Sequence, residues 1–453
     1  MSDLTLINCK IPWIDGNYSV KVEDGKIKSI TKLAPKCDKT IDLKGKILLP
    51  GVIDTHVHMR DPGLTYKEDW KTGSHAAAAG GFTTVLDMPN TDPKTTTAGR
   101  FHEKLKIADS KSVVDFGLHA GVENLDEIPK IAKLYPASFK IFADLVNNSF
   151  LMDAFNELSK LSKVEDTTSS SQNEAQNIFK PLISLHCEDK DIIRHCTDKL
   201  KSEGVSDSKV YSRARPAIAE EVSVSNAVTL AEHFNIPVHI CHISTRNSLE
   251  ILRRAKLAGC MVTCEATPHH LLLNSSSFEA FGTLAKTNPP LRNGRENLKI
   301  SDLHNVDIIG TDHAPHELLE KGRDVWNAPP GIPGLETALP LLLTEINRGN
   351  INFKNLKLLL CENPAKIFHI PNKGFIKEGM DADFVVVDMK KEGIIKAENF
   401  HSKAKYSPFE GIKVRGMPVM TIIRGNVVMD DGEVFENSGK FVYDSTIESS
   451  TQG

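Results

Sequence analysis

Hydrophobic and polar positions alternate near both ends of the chain and lose that alternation in between. Residues 1–48 carry short period-two runs, TLINCKI and YSVKVEDGKIKSI, the second interrupted by Asp24-Gly25, which predicts β-hairpins. From Lys46 onward, apolar runs rich in β-branched residues take over. Eight occur, at Val52–His58, Phe82–Met88, Val113–His119, Ser138–Phe142, Pro181–His186, Pro237–His242, Met261–Ala266 and Val306–Thr311. Helical spacing of apolar residues appears between them, at Lys71–Ala79, Leu125–Tyr135, Glu220–Phe234, Arg246–Ala258 and Leu335–Asn347. Strands apolar on both faces belong to a sheet covered on both sides, and alternation with helices makes that sheet parallel. Eight repeats in roughly 320 residues predict an α/β chain built on a (β/α)₈ barrel. After Asn372 the alternation returns, in GFIKEGMDADFVVVD and GMPVMTIIRGNVVMDDGEVF. The expected organisation is a barrel over residues 49–368, with 1–48 and 369–453 forming one small β domain and a tail. The polar segment Lys163–Asn177 is expected to be a surface insertion between the fourth and fifth barrel strands, and STIESSTQG a disordered end.

Composition narrows the function classes. Of 453 residues, 40% are hydrophobic and 25% charged, as in ordinary globular proteins. A net charge of −4 without a basic block argues against a nucleic-acid partner. No apolar run approaches the roughly 18 residues of a membrane span, and MSDLTLINCK lacks the pattern of a signal peptide. The eight cysteines are scattered, which suits reduced thiols. A soluble cytoplasmic protein is expected.

The chemistry is concentrated at strand ends. Residues i and i+2 of a strand share a face, so His56 and His58 aim together. Barrel active sites are built at the C-terminal ends of the strands, and there stand Lys140, His186, His242 and Asp312. Singly, each has an ordinary reading: a salt-bridged lysine, hydrogen-bonded histidines, a helix cap. Jointly they make a metal site. Neutral imidazoles suit zinc, and two ions roughly 3.5–4 Å apart share a hydroxide. Four histidines and one aspartate suffice for two ions only with an anionic bridge. A CO₂-derived carbamate on Lys140 would supply it.

Several longer motifs accompany this set: HVHMRDPG with KED at Lys67–Asp69, DMPNTDP, TCEATPHHL, NPPLR, GTDHAPH and PPGIPGLET. Together they resemble the amidohydrolase superfamily, and among its cyclic amidohydrolases they are most similar to the dihydroorotases. That resemblance implies reversible cyclisation of N-carbamoyl-L-aspartate to L-dihydroorotate in pyrimidine biosynthesis. It implies two divalent metal ions, zinc foremost: His56, His58 and Asp312 on one, His186 and His242 on the other, carboxylated Lys140 between them. Asp312 would be the catalytic acid and base. Arg60, Asn90 and His316 would grip the substrate carboxylate, Asn288 and Arg292 would approach the pyrimidine ring, and the PGIPG turn would offer backbone groups to it. A homodimer, and association with aspartate transcarbamoylase, are further implications. Hydantoinases, dihydropyrimidinases and allantoinases are the alternative within the superfamily, and a non-catalytic scaffold the alternative outside it. His269 and His270 are candidates to support the ligands, Cys241 and Glu265 are expected to be structural, and His239 is expected to face the helices. Asp144–Phe150 is a candidate lid in which Asn148 and Ser149 would touch substrate.

Overall fold

The computed structural model describes residues 4–33, 39–161 and 181–443, so the predicted insertion and tail lie outside the described residues. All eight expected runs carry β-structure. They are β1 (Val52–Val57), β2 (Phe82–Asp87), β3 (Asp115–Leu118, resuming at Ala120–Gly121), β4 (Phe139–Phe142), β5 (Ile183–His186), β6 (Val238–Ile240), β7 (Val262–Ala266) and β8 (Ile308–Ile309). Consecutive strands pair in parallel, β1 to β3 in one run and the second part of β3 to β8 in another. The ring closes beyond β8, where Val57 bridges His313 in parallel and the His58 amide donates to the His313 carbonyl at 2.8 Å. The chain forms the expected barrel.

β8 is shorter than predicted, ending at Ile309 just before the corner at Gly310–Asp312. A Cβ on Gly310 would lie 2.8 Å from Glu265 Oε2 and 3.2 Å from the His56 Cβ, so only glycine lets this segment approach β1 and β7 so closely. Asp54 ties the same corner, accepting from the Thr311 amide at 3.1 Å and the Thr311 hydroxyl at 2.5 Å.

The helices start where their caps say they should. Asp69, Thr97, Asp189 and Thr245 each accept a backbone N–H from the first turn, satisfying a donor that the helix itself cannot. Trp70–Ala79, Ala217–Phe234, Arg246–Leu257 and Leu335–Asn347 match the expected segments within a few residues. The expected helix at Leu125–Tyr135 breaks into a 3₁₀ turn, Leu125–Glu127, and a short helix, Ile128–Ala132. Pro129 explains the break, since proline lacks an N–H and fits only the first turn of the second piece. Phe82, Phe116 and Phe139 from the strands and Leu339 and Leu342 from a covering helix are fully buried, each contributing about 1.5–3 kcal/mol.

Strands from both ends make one nine-stranded sheet. Ile47–Pro50 joins the halves, lying antiparallel to Phe384–Ile394 with Leu49 opposite Val385. Two parts of the C-terminal region leave this sheet. Residues 395–409 reach back over the barrel, where the Tyr406 hydroxyl donates to the Gly331 carbonyl at 3.0 Å. Residues 439–442 run along β3, with Phe441 beside Phe116 at 6.0 Å between ring centroids.

Candidate metal centre and active site

The C-terminal rim of the barrel gathers the predicted ligands. His56 and His58 leave the end of β1 on one face, and Asp312 follows β8 in a left-handed conformation, φ 49°. Asp312 Oδ1 lies 3.0 Å from His58 Nε2 and 3.4 Å from His56 Nε2. One donor atom from each of the three falls within 4.8 Å of the others, a spacing that accommodates one cation. His186 at the end of β5 and His242 just past β6 form a second pair, with His186 Nδ1 3.0 Å from His242 Nε2. The two groups adjoin, since the His56 and His242 rings are 5.1 Å apart. Lys140 on β4 is 1% exposed, with Nζ 2.8 Å from Cys241 Sγ. Among the described residues no carboxylate pairs with it.

Other side chains orient these rings. Glu265, at the end of β7, accepts from His56 Nδ1 through a short contact and accepts from the His242 amide at 3.0 Å. Asn90 Oδ1 accepts from His58 Nδ1 at 2.7 Å. Both contacts leave Nε2 facing Asp312. Glu188 contacts His186 Nε2 at 3.0 Å and is itself paired with Arg215. Asp144 is engaged by the same arginine, 2.8 Å from Arg215 Nη2, and stands 3.7 Å from His186 Nε2.

The electrostatics suit cation binding. Burial, aided by Arg60 and His56, lowers the His58 pKa to about 4 against the pull of Asp312. Burial and the neighbouring His186, His56 and Lys140 hold His242 well below its ordinary value. Neutral imidazole is the form that ligates metal. Burial would push Asp312 up, but His56, His58 and His269 outweigh it and keep the carboxyl ionised. His242 Nδ1 is buried with no hydrogen-bond partner among the described residues, as is His269 Nε2. Buried polar atoms without partners are uncommon, and these two belong to histidines in and beside the donor cluster.

Arg60 lies just outside this cluster, 7% exposed and at φ 60°. Its Nε donates to the Pro315 carbonyl at 3.2 Å and its Nη2 lies 3.1 Å from His316 Nε2. Among the described residues no carboxylate pairs with its guanidinium. Burial, with Arg60, Lys67 and Lys321 nearby, keeps the His316 imidazole neutral. Asn288 Oδ1 accepts from the Tyr211 hydroxyl at 2.5 Å.

Several secondary candidates fall elsewhere. Arg292 is buried, its guanidinium donating to the Ser244 hydroxyl and the Arg215 carbonyl, so it supports the rim. His239 faces the barrel side of β6, not the helices, with Nε2 3.5 Å from Glu265 Oε2. His270 is locked between the Thr267 hydroxyl and the Pro289 carbonyl. Asn148 and Ser149 begin the helix Asn148–Leu161, and Asn148 accepts from Asn226. The turn carbonyls of Pro329, Pro330, Gly331 and Ile332 all have partners within the protein. Sequence reasoning missed the supporting Glu188 and gave Glu265 no ligand-orienting task. Glu188 follows His186 at the i+2 spacing that had singled out His56 and His58.

A barrel with clustered histidines and an aspartate at its C-terminal rim defines a class, the metal-dependent hydrolases. Residues 47–428 match the amidohydrolase family, and the chain belongs to it. It is 47% identical to a dihydroorotase of Methanothermobacter thermautotrophicus, over 98% of this chain and 97% of that one. It is 46% identical to a dihydroorotase of Methanosphaera stadtmanae, over 98% of this chain and all of that one. The solved structure of an L-hydantoinase from Arthrobacter aurescens superimposes with a TM-score of 0.90 at 33% identity, covering 98% of this chain and all of that one. Among the described residues no helix is long and apolar enough to cross a membrane.

Proposed function

We propose that the chain is a dihydroorotase, making and breaking the cyclic amide bond that relates N-carbamoyl-L-aspartate to L-dihydroorotate. The observation that carries this reading over other cyclic amidohydrolases is Arg60, a buried guanidinium beside the metal-binding cluster with no carboxylate pair among the described residues. A planar fork of donors matches a carboxylate. Dihydroorotate bears one on its ring, whereas hydantoin, allantoin and dihydrouracil do not.

His56, His58 and Asp312 would hold one divalent cation and His186 with His242 another. The shared ligand would be Lys140 as its CO₂-derived carbamate, which turns a buried amine into an anion. Zinc suits this imidazole-rich set. Such ions polarise a carbonyl oxygen and bring the pKa of water near neutrality. Arg60, Asn90 and His316 take the substrate carboxylate, and Asn288 approaches the ring from the loop after β7. In the hydrolytic direction a water oxygen adds to the ring carbonyl carbon and the C–N bond breaks. Asp312 carries the proton from that oxygen to the departing nitrogen, and ring closure reverses each transfer. We assign this chemistry to residues 49–368 and expect a cytoplasmic homodimer, the commonest closed assembly.

The test joins metal content to activity. Purified protein is expected to hold about two divalent ions per chain and to interconvert carbamoyl aspartate and dihydroorotate. Turnover of hydantoin or allantoin without turnover of dihydroorotate would sink the assignment. In Arg60→Ala, KM is expected to rise with metal content unchanged. Loss of metal in that variant would make Arg60 part of the metal centre instead.

A further inference from the structure

Lys67 comes from the KED stretch that follows the first barrel strand, and its ammonium approaches the imidazole of His316. Its Nζ lies 3.2 Å from His316 Nδ1 and 3.0 Å from Glu320 Oε1, and its side chain is only 11% exposed. The opposite ring nitrogen, Nε2, lies 3.0 Å from the Pro330 carbonyl and 3.1 Å from Arg60 Nη2. A neutral imidazole has one proton for two nitrogens, so these three neighbours of the ring cannot all be satisfied at once.

Two tautomers compete. With the proton on Nε2, the ring accepts from the Lys67 ammonium and donates to the Pro330 carbonyl, two contacts within good hydrogen-bond range. With the proton on Nδ1, the ring accepts from Arg60 but can donate only to Glu320 Oε2, at a long 3.5 Å. It would also turn an N–H toward an ammonium and a lone pair toward a carbonyl. The first arrangement wins on both sides of the ring. It leaves one conflict, an Arg60 N–H set against the His316 Nε2–H. An incoming carboxylate oxygen resolves that conflict by accepting from the Arg60 N–H and sharing the His316 Nε2–H with the Pro330 carbonyl. The second tautomer would instead present the substrate with a lone pair.

We infer that Lys67, held in place by Glu320, is a positioning residue that fixes the Nε2–H tautomer of His316 and so sets the donor polarity of the carboxylate clamp. This rests on the clamp assigned to Arg60 and His316 above. Lys67 acts through His316, and nothing in the inference needs it to touch substrate.

The experiment uses the full-length metal-loaded enzyme and two independent readouts. In ligand-free wild type labelled with ¹⁵N-histidine, the His316 signals, assigned by their loss in His316→Gln, are expected to show Nε2 protonated and Nδ1 bare. In Lys67→Met the signals are expected to shift toward the Nδ1–H form. KM for dihydroorotate and for carbamoyl aspartate is expected to rise about tenfold, with kcat within about twofold, the mark of lost ground-state binding. Lys67→Arg, which keeps a cationic donor, is expected to recover most of the KM. Glu320→Gln serves as the second variant should Lys67→Met fold poorly, and is expected to shift the tautomer balance in the same direction. Wild-type His316 carrying its proton on Nδ1 would overturn the inference whatever the activity. So would an unchanged tautomer and KM in a folded Lys67→Met. Inactive wild type on dihydroorotate with the Nε2–H tautomer present would instead count against the dihydroorotase reading alone.

Discussion

Glu265 and Asn90 perform the same task for neighbouring rings. Each accepts a hydrogen bond from the Nδ1 of a histidine at the end of β1, and so each leaves Nε2 turned toward Asp312. Glu265 is the more consequential, because the same carboxylate receives the His242 amide and joins both halves of the cluster. Burial alone would lower the His56 pKa, but Glu265, Cys241 and Asp312 outweigh it and raise it to about 10. The ring therefore keeps a second proton at neutral pH until a cation displaces it, and the carboxylate on Nδ1 strengthens Nε2 as a ligand once it does. Glu265→Gln keeps the shape and removes the charge. It is expected to lower metal affinity about tenfold, measured by competition with a chromophoric chelator, with the barrel still folded. Unchanged affinity would mean that packing of β1 and β7 orients His56 without help from that charge. The clustering of the histidines was legible in the sequence because strand periodicity aims i and i+2 together, whereas their supports come from other strands. His56 and Glu265 are 209 residues apart, and no local pattern marks that pairing.

The turn at Pro329–Gly334 shows the same division at the scale of an element. Its glycines and prolines announced a turn, but not what holds it. Lys321 is fully buried and donates to the carbonyls of Pro329, Gly331 and Lys286, between 2.9 and 3.1 Å. Tyr406 reaches the Gly331 carbonyl from the far end of the chain, and His316 meets the Pro330 carbonyl. Burial and nearby Lys286 lower the Lys321 pKa well below that of a free lysine. Lys321→Met keeps the apolar stem and strands those carbonyls. A loss of about 1–3 kcal/mol is expected, the cost of unsatisfied buried polar groups, read from the denaturant midpoint. A rise in KM is expected alongside it, because the His316 contact belongs to this turn. Wild-type stability and KM would show that the turn holds its shape without the amine. The helix lengths were legible from apolar spacing. The break at Pro129 was in plain sight in the sequence, while the close approach of Gly310 to Glu265, just past the end of β8, shows only in the assembled barrel.

For the whole molecule, the question is how a sheet built from both chain ends stays fixed to the barrel. Alternation foretold the strands. It could not foretell that 395–409 and 439–442 would depart from the sheet, because those segments follow the barrel surface and not a strand period. One buried ionic node lies at the junction. Lys373 Nζ is 2.7 Å from Asp115 on β3, 2.8 Å from Asp381 and 2.6 Å from Asp383, and Arg424 pairs with Asp115 as well. The Asp115 carboxylate also accepts the Lys440 amide at 2.9 Å, so sheet, barrel and C-terminal strip meet at one side chain. Burial would raise Asp115, but Lys373 and Arg424 outweigh it and lower its pKa. Burial raises Asp383 despite Lys373. Burial opposes the charge on Lys373, yet its three carboxylates raise its pKa above the ordinary value. Removing Lys373 leaves Asp383 buried without its cation, while Asp115 keeps Arg424 and Asp381 keeps Lys26, at a cost of about 3–5 kcal/mol. The signs then give the pH dependence. The Asp115 contribution is present above the pKa of an unfolded aspartate and is lost as pH falls through its lowered folded value. The Lys373 contribution is present below the pKa of an unfolded lysine and is lost as pH rises through its raised folded value. In Lys373→Met the carboxylates have lost that cation, so protonation relieves the variant while it weakens the wild type. The stability gap between them is therefore expected to be widest near neutral pH and to narrow on acidification, in denaturant titrations at successive pH values. A gap that stayed constant into acid would locate the lysine's contribution in its apolar stem and not in its charge.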